Sequence, residues 1–111
     1  MQMKEYNKLV RDNIPNIIKN RGDEPIIRIL SDEEYWEALI QKDTEELIEV
    51  KGAVLKEERK KELADKLEVL KAMAEYNGFT LEEIIKEAKI KANKNGAFEN
   101  KVFLESVIRK K

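Results

Sequence analysis

The stretch that decides the fold is residues 45–65, EELIEVKGAVLKEERKKELAD. Apolar residues within and around it recur at helical spacing, which predicts one helix over residues 34–55 and a second over residues 57–77. Because only one or two residues near Lys56 connect these helices, they must run antiparallel. The sequence therefore predicts an antiparallel helical hairpin at the centre of the chain.

Each helix of this hairpin carries an acidic pair beside its apolar stripe. Glu46 and Glu49 are three residues apart on the first helix, and Glu62 and Asp65 are three residues apart on the second. Positions i and i+3 lie on one face of a helix, so the members of each pair project together. Both pairs also lie at similar distances from the connecting turn. We therefore expect four carboxylates to converge along the seam between the helices.

Four carboxylates at one seam repel one another unless they are protonated or neutralised by cations. Oxygen ligands of this kind suit Mg²⁺ or Mn²⁺, with several coordinated waters retained for exchange with substrate phosphates. A solvated helix face is the alternative, because the chain contains 18 glutamates and a single acidic pair is common in such a sequence. The matched depth of two pairs on one hairpin makes the metal site as good an interpretation as the solvated face, and the residues alone leave both open.

Shorter segments precede the hairpin. Asp12 or Asn13 is placed to cap a short helix that carries Pro15 in its first turn and ends near residues 20–22. Residues 26–30, IIRIL, form a short β-branched run, which predicts an extended segment or a strand.

Two capping boxes mark the beginnings of further helices. Ser31 with Glu34 precedes the first long helix, and Thr80 with Glu83 opens a last helix that ends near residue 96. The apolar tail over residues 97–108 is expected to pack beside residues 26–30 or against a partner chain. The predicted fold is all-α, an antiparallel helical bundle with short extended N- and C-terminal segments.

Composition limits the chemistry that this fold can support. The chain has 111 residues, enough for one domain over residues 1–111. Its 22 basic and 23 acidic side chains leave a net charge of −1, which argues against binding a nucleic-acid polymer. Cys and His are absent, which excludes thiol nucleophiles, Cys/His zinc sites and Ser-His-Asp triads. With no membrane span and no signal-peptide pattern, we expect a cytoplasmic protein without a membrane partner.

The order of the acidic motifs, EExxE at residues 45–49 and then ExxD at residues 62–65 after a 12-residue gap, resembles the all-α nucleoside triphosphate pyrophosphatase superfamily. This group includes MazG-like enzymes, phosphoribosyl-ATP pyrophosphohydrolases and all-α dUTP/dCTP pyrophosphatases. Residues 6–15, YNKLVRDNIP, are similar to the YNKLVRDKIP opening of the phosphoribosyl-ATP pyrophosphohydrolase-like, MazG-related branch. Residues 95–105, NGAFENKVFLE, resemble the GGFEKRVFLE ending of that branch.

The resemblance implies Mg²⁺-dependent hydrolysis of the α–β phosphoanhydride of a nucleotide, which yields a monophosphate and pyrophosphate. By position, the metal ligands it implies are Glu46, Glu49, Glu62 and Asp65. Metal ions would offset the triphosphate charge and lower the pKa of the attacking water. Glu45 or Glu49 is the candidate base that accepts the proton of this water.

Substrate contacts are expected from the matched opening. Lys8 and Arg11 are the candidate phosphate contacts, because a chain without His must supply these cations from Lys or Arg. Asp12 would orient them, with a helix cap as its alternative role. Tyr76 lies on the helix face that continues from Asp65, so it is the candidate for stacking on the nucleotide base.

Three departures from the family pattern affect these expectations. Asp43 stands where an apolar residue is usual, and it either joins the acidic cluster, pairs with a Lys or marks a locally hydrated seam. Lys66 replaces a common aliphatic residue and is a candidate partner of Asp43 or Glu62. The His that typically follows ExxD in phosphoribosyl-ATP hydrolases is absent, which favours nucleotide-pool cleaning over that biosynthetic role.

A homodimer or homotetramer is expected, because a short chain with few aromatic residues builds only a modest core. The leading function is therefore a nucleotide pyrophosphohydrolase that acts on a (d)NTP as a homo-oligomer. Phosphoribosyl-ATP hydrolysis is the alternative enzyme activity. A non-catalytic helical interaction module, with solvated acidic faces, is the alternative from another class.

Overall fold

A computed structural model describes residues 2–110, and the predicted domain of residues 1–111 extends one residue beyond this range at each end. Four helices form in chain order: α1 Ile14–Asn20, α2 Asp32–Gly52, α3 Lys56–Tyr76 and α4 Leu81–Asn95. No β-strand forms among residues 2–110. Helix α3 packs against both α2 and α4. The all-α helical bundle is therefore confirmed.

The α2–α3 hairpin forms as predicted, with 21 residues in each helix. Three residues connect the helices, slightly more than expected. The Arg59 side chain donates from Nε to the Ala53 carbonyl at 2.9 Å, so α3 holds the connection from its first turn. Ala53 is also buried, and its amide donates to the Glu49 carbonyl at the end of α2.

Both predicted capping boxes are present. The Glu34 amide donates to Ser31 Oγ at 3.2 Å, and the Glu83 amide donates to Thr80 Oγ1 at 3.1 Å. In each box the glutamate also accepts from the backbone amide of the capping residue. Helix α4 ends at Gly96, whose φ of 87° is readily adopted by glycine.

The N-terminal segments match the prediction in part. Asn13 occupies the cap position of α1, but its side chain makes no capping hydrogen bond, and Pro15 lies in the first turn. Residues 26–30 lie outside helix and strand, so the strand alternative is not adopted. Arg28 pairs with Glu34 through two hydrogen bonds of 2.9 and 3.3 Å, which ties this segment to the first turn of α2.

The core within residues 2–110 is small. Its buried apolar side chains are Leu39, Ala53, Val69 and Ala74. The apolar faces predicted from periodicity are only partly covered, since Leu63, Leu67 and Leu70 of α3 are 43–54% exposed. Ile85 and Ala88 of α4 are also exposed. The reason is geometric: the seam between α2 and α3 follows the edges of their apolar stripes.

The C-terminal tail does not pack on residues 26–30, so that alternative is wrong for a single chain. Its apolar side chains are 73–97% exposed: Phe98, Val102, Phe103, Leu104, Val107 and Ile108. The radius of gyration is 19.2 Å, whereas a compact domain of this length has about 13 Å.

Among the described residues, no helix combines the length and apolar character needed to cross a membrane.

Candidate metal centre

Three carboxylates from the α2–α3 seam form one cluster, which we call the acidic triad: Glu46, Glu62 and Asp65. One carboxylate oxygen from each lies within 4.8 Å of the others. Glu46 is only 8% exposed, while Glu62 and Asp65 are half-buried. Antiparallel packing places Glu46 of α2 level with the other two residues of α3. The predicted convergence of acidic side chains therefore includes three of the four expected ligands.

The fourth expected ligand, Glu49, lies outside the triad and is exposed. It is nevertheless close enough to affect it electrostatically. The pKa of Glu62 is raised by burial, and then by the negative charges of Asp65, Glu49, Glu46 and Glu58. A bound cation would offset the negative charges that surround Glu62.

The donor set fits a hard divalent cation. One oxygen of each carboxylate lies within 4.8 Å of the others. Mg²⁺ holds octahedral oxygen ligands at about 2.1 Å, so at least two of the three O···O separations would have to close to about 3 Å for the carboxylates to share one ion. All three donors are carboxylates, which suits Mg²⁺ or Mn²⁺. In such a site the remaining coordination positions belong to water or phosphate oxygens.

Lys42 is a neighbour of the triad that sequence reasoning missed. Its Nζ lies 3.7 Å from Glu46 Oε1 and 3.4 Å from Glu45 Oε2. The signal was present in the sequence, because spacings of i+3 and i+4 bring opposite charges together on a helix. Lys42 offsets part of the charge of the buried Glu46 and also engages Glu45, one of the two candidate bases.

Arg11 reaches the triad from the segment before α1. Its Nη2 donates to Asp65 Oδ1 at 2.7 Å across 54 residues of sequence. The pair is about half-exposed, so it contributes at most about 1 kcal/mol to stability. The pair places the Arg11 guanidinium beside the acidic triad.

The other N-terminal candidates lie elsewhere. The Lys8 ammonium lies 5.5 Å from the centre of the Tyr6 ring, in a cation–π contact. Asp12 does not occupy the cap position of α1, which belongs to Asn13. The Asp12 charge instead reaches Tyr35, whose pKa is raised by burial and then by Asp12 and Glu75. The structure thus brings Arg11, but not Lys8, into contact with the triad.

Tyr76, the candidate for base stacking, belongs to an aromatic cluster near the end of α3. Its ring lies parallel to that of Trp36 at 5.1 Å and edge-on to that of Tyr35 at 6.0 Å. The Tyr76 residue remains 38% exposed. One aromatic contact is therefore already made within the chain, and a nucleotide base would have to use the part of the cluster that faces solvent.

Asp43 and Lys66 form an ion pair of 2.5 Å between α2 and α3. Asp43 therefore adopts one of its predicted alternatives, pairing with a lysine. Lys66 in turn pairs with Asp43 and not with Glu62. The pair lines a shallow groove with apolar residues of α3: Leu63, Leu67, Leu70 and Met73. It therefore lies outside the acidic triad.

No family model matches the chain, and no solved structure matches it. An uncharacterized protein of Mycolicibacterium smegmatis is 52% identical to it over 46 residues, which cover 41% of this chain and 47% of that protein. The chain thus spans about half the length of the curated relative it matches.

Proposed function

We propose that this protein is a Mg²⁺-dependent nucleotide pyrophosphohydrolase that cleaves the α–β phosphoanhydride of a (d)NTP to a monophosphate and pyrophosphate. The observation that carries the proposal is the acidic triad with Arg11 at its edge. Carboxylates to hold a metal and a guanidinium to contact phosphate are the two elements that hydrolysis of a phosphoanhydride requires. The proposed role is nucleotide-pool cleaning in the cytoplasm by a homo-oligomer.

In this proposal Glu46, Glu62 and Asp65 hold the metal, and Glu49 joins them or acts beside them. The metal would supply charge neutralisation and an acidified water. Arg11 binds phosphate oxygens, since its fork of donors suits them better than a lysine ammonium does. Lys8 and Asp12 remain proposed substrate contacts that would require movement of the N-terminal segment.

Two carboxylates are candidates for accepting the proton of the attacking water. Lys42 already pairs with Glu45 at 3.4 Å. Glu49 forms no ion pair among residues 2–110, and it is exposed beside the triad. The geometry therefore favours Glu49 as the base, whereas Glu45 is better suited to keeping Lys42 in place.

The test is a pyrophosphate-release assay with Mg²⁺, a panel of standard and modified nucleotides, and phosphoribosyl-ATP. We expect turnover of at least one nucleotide, with a loss of at least about 100-fold in Glu46→Gln and Glu62→Gln, because even second-shell changes at metal sites cost about 10–100-fold. Glu57→Gln is the matched control, since it removes a carboxylate from the first turn of the same helix.

Three results would contradict the proposal or redirect it. Absence of turnover on every nucleotide, together with no stabilisation by Mg²⁺ in thermal unfolding, supports the non-catalytic interaction module. Turnover of phosphoribosyl-ATP alone supports the biosynthetic alternative. Equal activity losses in Glu57→Gln and Glu62→Gln would show that the triad has no special role.

A further inference from the structure

The side of the hairpin that carries Asp43 presents an exposed apolar surface, which we call the leucine strip: Ile40, Leu47, Leu63, Leu67 and Leu70. These side chains are 42–54% exposed. Ile40 and Leu47 flank Asp43 at spacings of three and four residues, so they share its side of α2. The three leucines line the groove beside Asp43 and Lys66. Both long helices thus contribute apolar side chains that their own chain leaves uncovered.

A second uncovered apolar surface is the C-terminal arm, residues 97–108. It leaves α4 after Gly96 and contains no helix or strand. Phe98 is 97% exposed and Phe103 is 86% exposed. The Lys101 amide donates to the Phe98 carbonyl at 3.2 Å, so the arm makes a turn before residues 102–108. These seven residues reach at most about 25 Å when extended. The leucine strip runs from Leu63 to Leu70 on α3, about 10.5 Å along the helix, so the arm is long enough to cross it.

The exposed area shows how much surface is missing a partner. The chain exposes 10865 Å², whereas a compact monomer of 13.0 kDa exposes about 6,300 Å². The excess of roughly 4,500 Å² per chain is larger than the share of about 1,000–2,500 Å² that each chain of an obligate homodimer usually buries, about 2,000–5,000 Å² in total or more. A single standard interface of about 800 Å² per partner would leave most of it uncovered.

We infer that the C-terminal arm of one copy of this chain packs on the leucine strip of a second copy, in a reciprocal exchange. The arm and the strip are both apolar, both are exposed on every copy, and the arm is long enough to cross the strip. A two-fold exchange covers both surfaces on both chains at once, which closes the assembly. A partner that covered the strip alone would leave the phenylalanines of the arm in water.

This inference deepens the homo-oligomer of the proposed function and does not depend on its chemistry. All of its tests omit nucleotides and metal, so failure of the exchange and failure of the enzyme assignment give different results. A chain whose acidic triad is inactive could still exchange arms. A chain that is monomeric could still hydrolyse nucleotides.

The first experiment measures the mass of the full chain by light scattering during size exclusion. We expect wild type at twice 13.0 kDa or a higher even multiple. Phe103→Asp should raise the dissociation constant by about 30-fold or more, which corresponds to the loss of a central aromatic contact. Asn100→Asp is the matched control, because it adds the same charge to the same arm at a polar position and should leave the mass unchanged.

The second experiment identifies which surfaces meet. The chain contains no cysteine, so Leu67→Cys and Leu104→Cys each introduce a single thiol into an otherwise intact protein. The two variants carry different affinity tags, are mixed for subunit exchange and are then oxidised. We expect the main product to join position 67 of one chain to position 104 of the other. Lys91→Cys, on the exposed face of α4, should give little cross-linked product with either.

Each contrary outcome overturns the inference in a recognisable way. A wild-type protein that is monomeric at tens of micromolar would exclude the exchange. Disulfides that join only position 67 to position 67 would show helix-on-helix packing without the arm. A disulfide between the two positions within one chain, observed in the monomer of the double variant, would show that the arm folds back on its own hairpin.

Discussion

The two sides of the α2–α3 hairpin differ in how far their side chains find partners within the same chain. On the acidic side, Lys42 lies 3.7 Å from Glu46 and Arg11 lies 2.7 Å from Asp65. On the other side, the chain covers only about half of each side chain in the leucine strip, and the Asp43–Lys66 pair is matched.

The difference follows from the range and geometry of each interaction. A charge is matched by one partner, which a neighbour in the helix or a short N-terminal segment can supply. An apolar surface is covered only by area, and a helical hairpin with one further helix packed on it has too little area to cover its second side. A short chain can therefore pair Glu46 and Asp65 with its own cations while leaving part of its apolar surface for another molecule.

The largest expected effect compares two leucines of the hairpin. Leu39→Ala should destabilise the protein by about 2–5 kcal/mol, because it removes a side chain that is 2% exposed and leaves a cavity. In dilute protein, Leu67→Ala should cost less than about 1 kcal/mol, because half of that side chain is already in water. Urea unfolding at low protein concentration measures both values.

Protein concentration sharpens this comparison. At high concentration, the loss from Leu67→Ala should grow as the assembly forms, while the loss from Leu39→Ala should stay within the same range. If the two variants lose equal stability in dilute protein, the leucine strip is covered within a single chain and the contrast between the two sides is wrong.

The next effect concerns Arg11, which we expect to act on phosphate rather than on folding. Arg11→Gln should lower kcat/KM by about 10-fold, or roughly 1.4 kcal/mol of transition-state stabilisation. Arg11→Lys should recover only part of this, because an ammonium lacks the two-pronged geometry of a guanidinium. The Mg²⁺ concentration that gives half of the thermal stabilisation, measured by thermal unfolding, should not rise in either variant.

Arg21→Gln provides the control for Arg11→Gln. It breaks a similar exposed pair, with Asp23 at 2.9 Å, that does not involve the triad. Unchanged kcat/KM in Arg21→Gln with a loss in Arg11→Gln would link the effect to the triad. If Arg11→Gln weakens Mg²⁺ binding as much as Glu62→Gln does, Arg11 supports the ligands and is not a phosphate contact.

The smallest effect is the pH dependence of thermal stability in metal-free buffer. Because the pKa of Glu62 is raised above 4.5, chiefly by burial, its protonation favours the folded chain as pH falls from neutrality toward that value. Arg28 and Ser31 hold the pKa of Glu34 at about 2, so the stability contributed by Glu34 is lost as pH falls from 4.5 to 2. Both groups are accessible to solvent, so the shifts in Tm should be small.

Two variants separate these contributions. Relative to wild type, Glu62→Gln should remove part of the gain in Tm on acidification from neutral pH, and Glu34→Gln should remove part of the loss below pH 4.5. Saturating Mg²⁺ should also abolish the gain, because a bound cation relieves the same repulsion. Identical pH profiles for wild type and Glu62→Gln would contradict the electrostatic coupling within the triad.

Local signals predicted the helices well because local physics determines them. Ser31 and Thr80 cap the helices that they were expected to cap, since both capping boxes are formed by residues three positions apart. The short connection between α2 and α3 left only an antiparallel arrangement. The triad followed from the same two facts, helical spacing and chain reversal.

Other features depend on contacts that periodicity does not specify. Periodicity indicates which residues form the apolar stripe of α3, but not how that stripe is rotated relative to the seam with α2. The exposure of Leu63 and Leu67 therefore cannot be predicted from their spacing. Arg11 meets Asp65 across 54 residues, and no local pattern indicates that pairing. Lys42, by contrast, was predictable from its spacing to Glu46 and was overlooked.

The Asp43–Lys66 pair has a consequence for selectivity. Because the pair is only partly buried, it adds little to the stability of one chain. Any molecule that lies across it, however, must leave both charged groups satisfied, because an unpaired charge that is buried costs several kcal/mol. A partner that docks in a shifted register along the hairpin would incur that cost. So would a chain with an aliphatic residue at position 43 or 66. A single polar contact in an apolar surface therefore discriminates between partners that hydrophobicity alone would accept equally.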